Sequence, residues 1–538
     1  MDTTRQSRRD FLKMMGTGAA ALAGLDRSPA AFSAQPGRPN IILVMLDDMG
    51  FSDIGCYGSE IPTPNIDRLA ANGLRFTQFY NTARCCPTRA SLLTGLYSHQ
   101  TGIGQMTDDK GWPGYRGFLN RNCVTIAEVL RPAGYRTFIA GKWHVGSENK
   151  AWWPLQRGFD RFFGVPEGGG FYFKPKGGRT VVLDNDVAYD ENSTMPDGWY
   201  TTDAFTNYGI TFVEEAVERR QPFFFYLAYN APHWPLQAIR EDIERHRGRY
   251  MVGWDALRQQ RHKRMIEMGL VDEGWPLSPR DPEASAWEDV PQDKKRFMDL
   301  KMAIYAAQIE RVDRNIGRLV RRLEELGVFD NTLILFLADN GGCAEGGIWG
   351  FDRMQGQLGS SDSDSSYGQS WANASDTPFK LYKHWVHEGG IASPLIAHWP
   401  GRIRDKGALR HQVGHVIDLM ATCLDAAGVE YPTTHQGNDI LPLEGKSLVP
   451  AFNDKPVERE ALYWEHEGNR AVRCGRWKLV SKHPGDWELY DLEADRTEMR
   501  NLAQEHPDKA EELRQMYQQW AKRCGVRPWP VKKATASS

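Results

Sequence analysis

Residues 40–50 read NIILVMLDDMG, an unbroken apolar run that stops on two carboxylates. A short run rich in Ile and Val, with no polar alternation, predicts a strand buried on both faces, the habit of a parallel sheet. Two more runs follow the same plan: FFFYLAYNAPH (223–233) ends in polar residues and a histidine, and TLILFLADNGG (332–342) ends at Asp339 and Asn340. After the first run, TPNIDRLAANGLRF predicts a helix in which Thr63 can cap, Pro64 takes the first position and Ile66, Leu69 and Leu74 mark the apolar stripe. DLKMAIYAAQIERVDRNIGRLVRRLEELG (299–327) repeats apolar residues at helical spacing with charges opposite, so a long amphipathic helix is expected between the second and third runs. Strands alternating with helices predict a doubly wound α/β domain, in which ligands sit beyond the carboxyl ends of the strands. Asp47, Asp48, His233, Asp339 and Asn340 are therefore expected around one crevice.

Elsewhere the pattern loosens. Residues 240–296, charged and interspersed with Trp and Pro, read as a surface excursion at the substrate rim, and LGSSDSDSSYGQSWANASD (358–376) reads as a polar surface loop. Beyond LEGKSLVPAFNDKPVERE (443–460), the segments EALYWEHEG, RAVRCGRWKLV and DWELYDLEAD alternate with turn residues and predict a small antiparallel sheet. A helix from about Pro507 to Cys524 follows, and the terminal PVKKATASS is expected to be disordered. The chain thus divides into a catalytic domain over 35–445 and a smaller α+β unit over 456–530, without an internal repeat.

Composition narrows function more than fold. At 538 residues the chain is too long for one small core, and 66 basic against 69 acidic residues, a net charge of -3, leave no electrostatic case for nucleic acid. The N-terminal SRRDFLKMMGTGAAALAG sets Arg8 and Arg9 before Phe11, Leu12, Lys13 and a weakly apolar run too short for a membrane span. It resembles a twin-arginine export signal, a receptor-read address rather than an anchor. Residues 1–34 would form that signal, with AFSAQP offering cleavage after Ala34. Recognition by the twin-arginine machinery, delivery of a folded protein to the periplasm or the exterior of a bacterium, and no stable membrane insertion are expected.

The eight cysteines are too sparse for a disulfide framework, yet two stand side by side in NTARCCPTRASLLTG (81–95). Pro87, with no N–H to lose, suits the first turn of a helix. Cys85 then lies where free N–H groups favour an anion, and Arg89 lies one turn along. The residues alone support a thiolate or anion site, set against an ordinary buried cysteine pair. CCPTRASLLTG matches Cys-x-Pro-Ser/Thr-Arg followed by Leu-Thr-Gly, and so resembles the signature of the type I sulfatases. The resemblance continues through LVMLDDMG, GKWHVG, APHWP, ADNGG and KHWVHEGGIASP, covers nearly the whole chain beyond the signal, and looks most like the bacterial arylsulfatases.

That resemblance implies an alkaline-phosphatase-like fold: a large mixed, mostly parallel sheet between helices, with a smaller C-terminal α+β subdomain. It implies that a formylglycine-generating enzyme, reading Pro87 and Arg89 at fixed offsets, oxidises Cys85 to formylglycine (3-oxoalanine) and passes over Cys86. Asp47, Asp48, Asp339 and Asn340 match the family's metal ligands, joined by residue 85, and their hard oxygens suit one calcium ion better than zinc. Lys142 matches a residue that contacts the sulfate and the aldehyde hydrate, and His144 one that touches the hydroxyl of residue 85; in extended backbone the two would share a face. His233 and Lys383 match residues near the leaving oxygen, Lys383 being preferred to Lys380 by its spacing to Glu388. His384 and His387 match no role, and Cys343 reads as a small loop residue. In the implied mechanism the hydrate attacks sulfur with Asp339 as base, and His233 or Lys383 protonates the leaving oxygen. His144 then deprotonates the second hydroxyl, the covalent sulfate ester breaks and the aldehyde reforms, while Arg89, Lys142 and the cation offset the sulfuryl charge. The implied activity is hydrolysis of sulfate monoesters to a phenol or alcohol and sulfate. Phosphonate monoester hydrolases share the signature, so phosphonate or phosphodiester hydrolysis stays open, as does a noncatalytic exported carbohydrate-binding relative.

Overall fold

The three apolar runs lie side by side at the centre of an eleven-stranded sheet in the computed structural model of the chain, which describes residues 37–353 and 356–534. The export signal and its cleavage site fall outside the described residues. Across the sheet the order is β10 (Leu409–Arg410), β2 (Leu74–Tyr80), β9 (Ala392–His398), β8 (Thr332–Ala338), β1 (Asn40–Asp47), β7 (Phe223–Pro232), β3 (Arg136–Lys142), β4 (Arg161–Val165), β5 (Val181–Leu183) and β6 (Asp186–Tyr189), with β11 (Gly414–His415) also on β2. The central run β8-β1-β7-β3-β4 is parallel throughout; antiparallel pairs join β9 to β2 and β8 on one side and β5 to β4 and β6 on the other.

Unbroken apolarity in β1 has its reason in two cores. Ile42, Val44 and Leu46 face one, under helices α1 (Pro64–Ala71), α3 (Thr201–Glu218) and α5 (Gln292–Glu325); Ile41, Leu43 and Met45 face the other, under α2 (Cys85–Thr94) and α7 (Asp418–Ala427). Register then aligns the tips. Leu46 pairs with Ala338, Asp47 with Pro232, and Ala228 with Gly141, so the polar residues that end β1, β8, β7 and β3 open on the same edge. Thr63 does not cap α1 with its side chain; the backbone N–H groups of Asn65 and Ile66 donate instead to Asp313 of α5, at 2.9 and 2.8 Å.

Two expected surface segments are interior in part. Within 240–296, helix α4 (Gly253–Glu267) buries Trp254 and Arg261, and Arg261 pairs with Asp53 at 2.6 Å and Glu60 at 2.9 Å. In 358–376, helix α6 (Gln369–Ser375) is wholly buried, as is Asp376 after it. Polarity misleads in both places because the buried polar groups find partners inside the protein. At the C-terminus, β14 (Leu462–His466), β15 (Asn469–Cys474), β16 (Trp477–Ser481) and β17 (Glu488–Asp491) form the expected antiparallel sheet after a short ribbon of β12 (Thr434–His435) and β13 (Asn438–Asp439), and α8 (Pro507–Cys524) packs on it. Part of the terminal segment is ordered: the Ala534 N–H donates to the Lys110 carbonyl at 2.8 Å, and the Trp112 indole donates to the Lys532 carbonyl at 2.9 Å. Among the described residues, no helix is long and apolar enough to cross a membrane.

Candidate active site

Cys85 is the first residue of α2, rather than preceding it, and is 2% exposed. Pro87 falls in the first turn, where no intrahelical N–H bond is lost, and Gly95 ends the helix in the left-handed region that suits glycine, at φ 71°. The Cys85 thiol lies with Cys86 and His144, the ligand atoms all within 4.8 Å of one another. A hydrogen bond from Cys86 holds the Cys85 thiol well below its ordinary range, and Lys142 and His144 reinforce this against burial. Contrary to the expectation from their spacing, Lys142 and His144 do not share an extended face. Lys142 is the last residue of β3, and His144 turns away in the left-handed region at φ 58°. Burial, with help from Lys142, pushes His144 down to about 4 despite the neighbouring Cys85, and its Nδ1 has no hydrogen-bond partner among the described residues.

One turn along α2, the guanidinium of Arg89 donates to Asp339 Oδ2 from Nη2 at 2.7 Å and from Nε at 3.2 Å, and to the Lys142 carbonyl at 3.1 Å. Lys142 Nζ lies 2.5 Å from Asp47 Oδ2, and Lys383 Nζ lies 2.8 Å from Asp48 Oδ2. His233 Nε2 stands 3.4 Å from that same Asp48 oxygen, and the Asn340 amide donates to Asp48 Oδ1 at 2.8 Å. All the residues singled out for chemistry, on β1, α2, β3 and the loops after β7, β8 and α6, are thus gathered at one edge of the sheet. His384 and His387 lie outside this set, pairing with Glu467 and Glu488 at 3.1 and 3.6 Å.

The donor set suits a hard cation. Asp47 Oδ1 and Asn340 Oδ1 are buried without hydrogen-bond partners among the described residues. Burial and the charge of Asp47 push the Asp339 carboxyl well above its ordinary range, against the pull of Arg89. Burial also opposes charge on Asp47, but Lys142, His233 and Arg89 together outweigh it and hold that carboxyl low. Idle oxygens and a carboxyl reluctant to ionise mark a place that a divalent ion with oxygen ligands would satisfy.

Several residues escaped sequence reasoning. Glu345 pairs with both Arg84 at 3.2 Å and Lys383 at 3.3 Å, and accepts from the Trp234 indole at 2.7 Å. Tyr305 donates to the Asp48 carbonyl at 3.1 Å and to Asp53 at 2.8 Å, which helps hold Asp48 at φ 66°. Asp376 accepts the Gly342 N–H through both oxygens, at 2.9 and 3.1 Å, and so steadies the turn that follows Asp339 and Asn340. The nearness of Arg84 to the cysteine signature was the one available signal; the others meet only in three dimensions.

The sulfatase family profile matches residues 39–429, and a profile for the N-sulphoglucosamine sulphohydrolase C-terminal region matches residues 379–523. A sulfatase of Schizosaccharomyces pombe is 35% identical over 531 residues, covering 92% of this chain and 95% of its own. An arylsulfatase of Klebsiella aerogenes is 34% identical over 458 residues, covering 82% of this chain and 98% of its own. Among solved structures, Ps i-CgsB in complex with k-i-k-neocarrahexaose matches with a TM-score of 0.67 and 27% identity, over 93% of this chain and 96% of that one. Matched along most of its length by sequence and by fold, the chain belongs to the sulfatase family and is a hydrolase of sulfuric esters.

Proposed function

We propose that this sulfatase is an arylsulfatase-type enzyme that uses formylglycine at position 85 and one calcium ion. The observation that carries the reading is the pairing of two buried ammonium groups with neighbouring carboxylates, Lys142 on Asp47 and Lys383 on Asp48, with His233 beside the latter. Hydrated formylglycine supplies one hydroxyl to attack sulfur and a second that lets sulfate leave. Asp47, Asp48, Asp339 and Asn340 would hold calcium, which supplies charge to polarise the sulfuryl group. Arg89, fixed by Asp339 and the Lys142 carbonyl, keeps its charge beside the helix start that carries residue 85. Lys142 binds sulfuryl oxygen, and His233 or Lys383 delivers a proton to the departing oxygen. Asp339 takes the proton of the attacking hydroxyl. His144, kept neutral by burial, takes the second hydroxyl's proton. The burial of residue 85 and its neighbours disfavours competing attack by bulk water.

The test is kcat/KM for a nitrophenyl sulfate against the matched phosphate monoester, phosphodiester and phosphonate monoester. It uses enzyme in which peptide mass spectrometry has located the aldehyde at residue 85. Sulfate is expected to win by at least tenfold, about 1.4 kcal/mol of transition-state stabilisation. Faster turnover of the diester or phosphonate would give the reaction to phosphorus esters instead. The family resemblance also supports maturation by a formylglycine-generating enzyme, and Arg8 and Arg9 support export by the twin-arginine route. Replacing both arginines by lysine is expected to leave active enzyme in the cytoplasm; undiminished delivery to the periplasm or medium would rule that route out.

A further inference from the structure

Three donors that the catalytic scheme does not use meet near the Lys383 loop. His466 ends β14, Glu467 begins the turn to β15, and His384 follows Lys383, with its N–H donated to the Ala83 carbonyl at 2.9 Å. One ligand atom from each of the three lies within 4.8 Å of the others. His384 Nδ1 is 3.1 Å from Glu467 Oε2, and the two imidazole rings stand edge to face with centroids 5.5 Å apart. His466 is fully buried, and neither of its ring nitrogens has a hydrogen-bond partner among the described residues. Leaving both idle is costly unless something else occupies them.

We propose that His384, His466 and Glu467 bind a borderline-soft divalent cation of the zinc class, at a site separate from the oxygen donors Asp47, Asp48, Asp339 and Asn340. Two imidazoles and one carboxylate form a zinc donor set with a fourth position left open, whereas the catalytic oxygens favour calcium. The His384 and Glu467 side chains are 31% and 20% exposed, which gives an ion a way in. A sugar or aryl group is the poorer occupant, because His466 is enclosed and offers its nitrogens only to something small enough to sit between the three donors. The geometry is also held in place. Glu467 and Gly468, at φ 50° and 84°, form the two-residue turn of the β14–β15 hairpin, and the Asn469 amide donates to the carbonyls of His466 and His384 at 3.0 and 3.4 Å. Burial drives His466 down to about 3, while at Glu467 burial is outweighed only by the hydrogen bond from His384 together with the neighbouring positive charge, Arg84 included, which hold the carboxyl at about 2. A neutral imidazole and an ionised carboxylate are ready to ligate at neutral pH. A metal held by His384 and Glu467 would replace the contact now made between His384 Nδ1 and Glu467 Oε2. The bound ion would fasten the C-terminal hairpin to the loop that carries Lys383.

Cobalt(II) tests this by its spectrum. Aldehyde-bearing enzyme in excess calcium is titrated with cobalt alone, then with zinc. The expected result is uptake of an equivalent of cobalt with the intense visible bands of a four-coordinate, nitrogen-containing site, which an oxygen-only site does not give, and their bleaching by zinc. Glu467→Asn suits a turn residue with positive φ, and His466→Phe fills the ring volume; each is expected to abolish both the bands and the equivalent. No uptake in excess calcium, or bands that persist in Glu467→Asn, would overturn the proposal. Should His466→Phe fail to fold, Glu467→Asn decides alone. Bands of sulfur character surviving in both variants would assign the metal to a cysteine thiolate such as Cys86 and equally overturn it.

Discussion

Arg89 is wholly buried and reaches in two directions, to Asp339 through Nε and Nη2 and to the backbone of Lys142 through Nη1. Helical spacing related it to Cys85, and the family signature made it conspicuous, but neither could show that it ties α2 to the tip of β8. A lysine there would keep the charge and lose the planar fork. Arg89→Lys is expected to destabilise the fold by about 1–3 kcal/mol, as for buried hydrogen bonds left unmade, and to lower kcat/KM by about 100-fold. Urea unfolding and steady-state kinetics check this; an unchanged midpoint with normal turnover would show that charge alone suffices. The same contrast explains which site residues were legible. Asp47, Asp48, Asp339 and Asn340 end apolar runs, and Cys85 sits in a signature, so local sequence exposes them. Glu345, Tyr305 and Asp376 act on partners far away in the chain and have no local mark.

At the scale of elements, β1, β7 and β8 were readable because both faces of each are buried, leaving uninterrupted apolar runs. Helix α6 was not readable, because its Gln, Ser and Asn side chains are enclosed by other polar groups of the fold rather than by water. Strand β9 ends on His398, which is 2% exposed and has an Nδ1 without a hydrogen-bond partner among the described residues. Burial, then Arg68 and Lys406, push this imidazole from 6.5 down to about 4. Between those values the unfolded chain binds the proton and the folded chain does not. The stability it contributes is therefore present above the unfolded value and lost as pH falls from there towards the folded one, by about 2 kcal/mol at pH 5 relative to pH 7. His398→Phe, set against the Phe329 ring 5.0 Å away, is expected to shrink the fall in Tm between those pH values. An equal fall in both proteins would place the acid sensitivity elsewhere.

Over the whole molecule, the small C-terminal sheet is fastened to the large one by buried charge as well as apolar contact. Glu388 receives Lys478 of β16 at 2.9 Å, Arg496 at 3.1 Å and the Tyr80 hydroxyl of β2 at 2.9 Å; Lys478 also pairs with Glu498 at 2.8 Å. The charged side chains are fully enclosed. Burial opposes ionisation of Glu388, but Lys478 and Arg496 outweigh it and hold the carboxyl at about 2. In the sequence Glu388 served only to select Lys383 by spacing; its own partners lie 90 and 108 residues downstream, beyond any local pattern. Glu388→Gln leaves two buried cations short of one negative charge and is expected to cost about 3–5 kcal/mol. Because the same segment carries Lys383, turnover is expected to fall as well. Glu388→Gln combined with Lys478→Met removes one cation along with the anion, so the double variant should recover part of the lost stability. If the double variant is as unstable as the sum of its single changes, the two residues act independently, and apolar packing rather than this charge network joins the sheets.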